Sequence, residues 1–262
     1  MKTRKRAQKV LVLYCFHDRN DRVTNFIKDA IFYDKNVDFL IIANNHDPIE
    51  VPDYVKLIQR NNKGFDFGAW SYGLLTDQLY KKYTHFIFVN SSVSGPYLPS
   101  TYKGKWTNIY LNGLTSRIKL FGSTINTVDD PITKSHVQSY IFSMTKSTLD
   151  FLIKEEIFSL KYVDKFDDAV CRKEVPMSRK IIEQGWNIGS LVKYYKGVDY
   201  TFRTRLPKDY SCIFTGDVMR EEYANKLWKK EELVFVKGNR INCTKDCKFP
   251  PIRKNNCWDK YI

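Results

Sequence analysis

The chain has 262 residues, 43% apolar and 27% charged, with 43 Lys and Arg against 29 Asp and Glu and a net charge of +14. This composition supplies a core and excludes a disordered or low-complexity chain, and no apolar run approaches the roughly 20 residues of a membrane helix. The positive field favours anionic partners such as nucleoside diphosphates, nucleic acid or an acidic membrane face. The basic residues are scattered and match no nucleic-acid-binding module, so no nucleic-acid partner is expected.

The basic cluster Lys2, Arg4, Lys5, Arg6 and Lys9 reads as a solvated arm over residues 1–9, suited at most to peripheral contact with a membrane surface. Val10–Cys15 follows as a continuous apolar run, the pattern of a strand covered on both faces. His17-Asp18-Arg19-Asn20 stands where a signal peptide would carry small residues, so the run reads as a buried first strand. Val23, Phe26, Ile27, Ala30 and Ile31 recur at helical spacing. Val37–Ala43 is the second strand, Val55–Gln59 the third and His85–Val89 the fourth, with a helix over 68–80 between the last two. Strands alternating with helices predict an α/β fold with a mainly parallel, Rossmann-like sheet and helices on its faces.

The second half is less regular. Ile118–Ile125 and Val137–Met144 read as strands, and Thr148–Glu156 as a helix. Pro176–Gln184 reads as another helix, ended by Gly185 in a left-handed cap, and Leu233–Lys237 as a late strand. The chain divides into the arm at 1–9, one domain at 10–240 and a polar tail at 241–262. The cysteines at 15, 171, 212, 243, 247 and 257 do not have zinc spacing. They read as free thiols in a reducing, cytoplasmic setting, with a tail disulfide as the alternative.

In open α/β sheets, ligands bind beyond the carboxyl ends of the strands. Here those ends carry His17-Asp18, Asn44-Asn45, Arg60 to Asp66, and Asn90-Ser91-Ser92. All are polar, and all should gather on one rim.

Four blocks carry a resemblance. Arg60-Asn61-Asn62-Lys63-Gly64-Phe65-Asp66-Phe67-Gly68-Ala69-Trp70 is the first, and Asn90 to Pro99 (Asn-Ser-Ser-Val-Ser-Gly-Pro-Tyr-Leu-Pro) the second. His136-Val137-Gln138-Ser139 and Glu232 to Arg240 complete the set. Together, and in this order, they resemble glycosyltransferases related to the rhamnan synthesis F family, including enzymes of large algal viruses. The resemblance implies a GT-A type fold, with a nucleotide-binding half at 10–100 and an acceptor-binding, catalytic half at 101–240. It also implies transfer from a nucleotide sugar, with a UDP-sugar favoured and xylose or rhamnose as the sugar, to a glycan or glycoprotein. The alternative is a non-catalytic nucleotide- or sugar-binding module. Oligomeric state cannot be read from these residues.

On that reading Asp66 contacts the base or ribose, with capping of its own helix as the alternative. Arg60 meets the diphosphate or holds Asp66, while Gly64 and Gly68 permit close backbone approach. His17, Asn61, Asn90, Ser91, Ser92 and Gln138 complete the nucleotide set. Asn90-Ser91-Ser92 occupies the place where many GT-A enzymes keep an Asp-x-Asp motif for Mn2+ or Mg2+. Neither Asn nor Ser is a strong hard-cation ligand, so metal dependence is in question. Asp129-Asp130 is a substitute pair, or a solvated turn before Pro131. Glu174, ahead of a helix and Gly185-Trp186-Asn187-Ile188, is the expected general base of an inverting reaction, with Asp167 or Asp168 as alternates. His136 is the second catalytic candidate. Trp70, Trp186 and Tyr97 stack on sugars or pack in the core.

Overall fold

The computed structural model describes residues 8–126, 135–201, 217–219 and 228–241. Seven strands form the central sheet, which includes β1 (Val10–Phe16), β2 (Val37–Ala43), β3 (Lys56–Gln59) and β4 (His85–Asn90). β5 (Val93–Ser94) lies apart from it. β6 (Ile118–Gly122) rejoins the sheet, while β7 (Ile125–Asn126) and β8 (His136–Val137) form a separate ribbon. β9 (Ile141–Thr145) and β10 (Asn187–Ser190) complete the sheet, in the order β10-β6-β9-β4-β1-β2-β3. β9 runs antiparallel to both β4 and β6, and the other neighbours are parallel. This is the expected α/β architecture with a mostly parallel sheet. Every residue of β1 is buried, as its unbroken apolar run requires.

Two expected strands are each split in the structure. The run 118–125 breaks at Ser123-Thr124 into β6 and β7, and the run 137–144 breaks at 138–140 into β8 and β9. The polar residues in these runs look like outward-facing strand positions, but they make turns instead. The late strand expected at 233–237 is also shorter. α7 (Lys230–Leu233) ends in Val234 at φ 62°, and only β11 (Val236–Lys237) pairs, antiparallel to β5.

The helices begin with α1 (Asp21–Asn25), where the Asn20 side chain accepts from Arg22 N and Val23 N, and a π turn extends it to Ala30. α2 (Phe65–Leu75) packs on the sheet through Trp70, which is fully buried. Its indole meets the rings of Phe88 and Phe142 edge-on, each at 5.5 Å. Those two rings stack on each other at 4.8 Å across the β4–β9 pair. Gly73, on the same helix face, lets α2 approach β2 so closely that a Cβ there would press on Leu40 and Ile42. α3 (Trp106–Asn112) and α4 (Lys146–Lys154) cover other parts of the sheet.

The helix expected at 176–184 turns out to be the end of a longer helical stretch. α5 (Phe166–Ala169) runs into a π turn (Val170–Glu174) and then α6 (Val175–Glu183). Pro176 has no N–H and its ring would clash with the carbonyl four residues back, so a helix passing through it widens. Gly185 takes φ 74° after α6, the expected left-handed cap.

Lys9 is not part of a solvated arm. It ion-pairs with Asp38 at 3.3 Å, lies over the Tyr83 ring and bonds Thr84 through its backbone, at the opposite end of β1 from the polar rim. Cys15 is a free, buried thiol, whereas Cys171 is disulfide-bonded, so the free-thiol expectation fails there. The other cysteines, the Asp129-Asp130 pair and residues 242–262 lie outside the described residues.

Candidate functional site

The four parallel strands β1 to β4 end side by side, with Phe16 opposite Ala43, Ala43 opposite Gln59 and Cys15 opposite Asn90. The residues that follow them therefore share one rim. His17 Nδ1 bonds the Asn44 carbonyl at 2.9 Å, and its ring is otherwise exposed. Asn45 donates to the His17 carbonyl, and Asn61 meets His46 at 3.1 Å.

Arg60 is 8% exposed, and its guanidinium is committed to the loop. It donates to Asn44 Oδ1 at 3.0 Å and to the Lys63 carbonyl at 2.8 Å, between the rings of Tyr72 and Tyr162. Its contacts thus organise the 60–64 loop and do not reach Asp66. Gly64 takes φ 75° against Tyr162 and Phe65 follows at φ 54°, a rare conformation for a bulky residue. At Gly68 a Cβ would collide with the Lys63 carbonyl. This sharp turn starts α2 and sets the direction of Asp66.

Asp66 lies one helical turn before Trp70, so anchoring the indole in the core turns the carboxylate towards the sheet ends. The carboxylate does not cap its own helix, whose N-cap is Gly64 with no side-chain bond. It accepts instead from Asn90 Nδ2 at 2.8 Å and Cys15 Sγ at 3.4 Å. Burial raises the Asp66 pKa above the usual carboxylate value, opposed by these two donors; the Glu174 charge adds to the rise and Lys237 counters it. Burial, and after it the Asp66 carboxylate, likewise push the Cys15 thiol well up.

A raised native pKa means that the folded state binds this proton more tightly than the unfolded chain. Stability from this group is therefore greatest at low pH and declines as pH rises from about 4 through the raised native value. Asp66→Asn should remove that decline, so the stability of the variant relative to wild type should rise with pH. Melting curves at pH 5 and pH 8 check this. An advantage of the variant that fails to widen with pH would contradict burial as the cause.

Asn90 forms the centre of the site. Its Oδ1 accepts from Ser92 N at 3.0 Å and Ser92 Oγ at 2.5 Å, closing the Asn90-Ser91-Ser92 turn. Its backbone N donates to the Tyr140 carbonyl at 3.0 Å. The neighbouring Ser139 N donates to Glu174 Oε1 at 2.8 Å, so the 138–140 turn stands between Asn90 and Glu174. Gln138 is buried, accepting from Thr124 Oγ1 at 2.6 Å and donating to Asp217 at 3.2 Å. His136, 3% exposed, is in register with Asn126 in the β7–β8 ribbon that leads into this turn. Asp168, six residues before Glu174, pairs with Arg172 at 3.2 Å. Of the aromatics, Trp70 is core, Trp186 meets Phe151 edge-on and Tyr97 lies under Lys230.

Sequence reasoning assigned no role to Arg22, Asp217, Lys237 or Arg240, yet all four reach this place. Arg22 Nε donates to the Ser91 carbonyl at 3.0 Å. Gly238 N donates to the Ser92 carbonyl at 2.7 Å. Arg240 ion-pairs with Asp217, the acceptor of Gln138, and the Glu174 charge acts on it. The available signal was the closing Lys-x-x-Arg spacing, which does not show where the segment docks.

Among the described residues no helix is long and apolar enough to cross a membrane. No curated protein matches the chain. The model of the family described as rhamnan synthesis protein F matches residues 42–223, well over half of the chain. The matched span includes Arg60, Asp66, Asn90, His136, Gln138 and Glu174, and stops short of Lys237 and Arg240. The chain belongs to the rhamnan synthesis protein F family, which is tied to polysaccharide synthesis.

Proposed function

We propose that the protein is a nucleotide-sugar-dependent glycosyltransferase of GT-A type. The observation that carries this reading is the pairing of Asp66 and Glu174 on either side of the Asn90 turn, at the carboxyl ends of a mostly parallel sheet. Asp66, prepared as an acceptor by the α2 turn, takes hydrogen bonds from the base or ribose. Glu174 has one oxygen on Ser139 N and offers the other to an acceptor hydroxyl.

In the reaction the acceptor oxygen attacks the anomeric carbon as its proton passes to Glu174. The bond to the diphosphate breaks on the opposite face, inverting that carbon and releasing the nucleoside diphosphate. The sugar in this reading is rhamnose or xylose, with UDP as the favoured carrier. The acceptor is a glycan or glycoprotein, and the enzyme works in the cytoplasm or at a membrane surface. His17 and Asn61, both exposed on the rim, line the nucleotide side.

The test is a thermal-shift panel with UDP, GDP, dTDP and CMP. A nucleotide at 100 times its dissociation constant stabilises the native state by about 2.7 kcal/mol. At roughly 2–4 °C per kcal/mol, that is a rise of several degrees. One responding nucleotide supports the reading and names the carrier. No response at millimolar concentration from any of the four would sink it.

A further inference from the structure

A diphosphate leaving group needs its negative charge balanced, and a divalent cation is the common means. The described residues do not fit one at this turn. Asn90, where an Asp-x-Asp motif would ligate, has its amide on Asp66 and its carbonyl oxygen on Ser92. No group of three or more His, Cys, Asp or Glu among the described residues is placed to hold a metal ion.

Three basic side chains, among the carboxylates already described, also reach the turn. Arg22 reaches the Ser91 carbonyl with one of the five N–H donors of its guanidinium. β11 pairs with β5 immediately after the turn, setting Lys237 opposite Val93 and Val236 opposite Ser94. The segment seats so closely that a Cβ on Gly238 would collide with Ser94 Oγ and press on the Arg22 side chain. Lys237 is thereby brought near enough to Asp66 to act on its charge. Arg240, in the short helix α8 (Gly238–Ile241), is held by Asp217, which Gln138 in turn holds.

We propose that Arg22, Lys237 and Arg240 form a cationic clamp that binds the diphosphate of the donor and neutralises it as it leaves, in place of a divalent cation. The proposal rests on the transferase reading above and specifies how that site handles its leaving group. Protein cations pre-set around the point where charge develops lower the barrier without reorganising in the reaction. Arg240 and Lys237 come from one segment, so the docking of β11 on β5 positions both together.

The experiment is calorimetry of a nucleoside diphosphate and its monophosphate in EDTA, using the carrier base that the thermal panel identifies. Wild type is expected to bind the diphosphate tighter than the monophosphate with EDTA present. Lys237→Gln and Arg240→Gln should each shrink that preference about 10- to 100-fold, the scale of a hydrogen bond to a charged group. Lys237→Arg should keep most of it. Lys35→Gln, an exposed substitution with the same change in charge, controls for the general field and should leave binding unchanged. Melting temperatures verify that each variant is folded. A preference that disappears in EDTA and returns with Mn2+ overturns the clamp, as does an unaltered preference in both Gln variants. Either result leaves the transferase reading standing, whereas no binding of any nucleotide removes both.

Discussion

Glu174→Gln is expected to lower sugar transfer by about 10²- to 10⁴-fold, the usual worth of a positioned general base, while nucleotide affinity stays the same or tightens slightly. The substitution is chosen because Gln keeps an oxygen for Ser139 N, the bond that fixes the side chain. It also removes a negative charge that acts on both Asp66 and Arg240. The reading therefore requires kcat to fall without loss of the nucleotide. Asp66→Ala should do the reverse and weaken nucleotide binding first. Equal loss of binding in both variants would abolish this division of roles, and full activity in Glu174→Gln would remove it as the base.

Trp70→Ala is expected to destabilise the protein by roughly 3–5 kcal/mol, because the indole is fully buried between Phe88, Phe142 and Phe67. That is a large share of the 5–15 kcal/mol that separates typical native and unfolded states. Among the described residues the indole Nε1 has no hydrogen-bond acceptor. Trp70→Phe, which deletes an unpaired buried donor along with some volume, should therefore be much milder. Urea titrations of the two variants make the comparison. Because Asp66 shares a helix face with Trp70, any folded Trp70→Ala protein should also bind nucleotide more weakly than Trp70→Phe. Equal nucleotide affinity of the two folded variants would show that the site does not depend on this anchor.

The parallel half of the fold was legible because strands covered on both faces read as unbroken apolar runs. β2 matches its expected bounds, and β1 and β4 each extend one residue further. The polar strand ends likewise pointed to one rim. Legibility failed where a polar residue has two equally good local explanations. Gln138 and Ser139 suit an outward strand position as well as a turn, and the turn is held by partners distant in sequence, Glu174 on Ser139 N and Asp217 on Gln138. Pro176 signals the start of a helix in sequence, whereas a π turn lets the helix run through it and sets Glu174 inside. Arg60 suits a diphosphate by its chemistry, and no local pattern showed that two of its donors hold the loop. Lys237 and Arg240 were hidden for a different reason. Their place is fixed by pairing with a strand distant in sequence, and no local pattern encodes that pairing.

The β5–β11 pairing also imposes an order in time. Asp66, Asn90 and the strands that present them are synthesised well before Lys237 and Arg240. At about 5–20 residues per second, the stretch from Ser94 to Val236 takes roughly 7 to 28 seconds to emerge. During that interval a nascent chain can build the parallel half of the sheet but holds only Arg22 of the three cations that balance the diphosphate. On this reading the protein becomes competent only when its late segment docks, so catalysis itself reports that folding is complete.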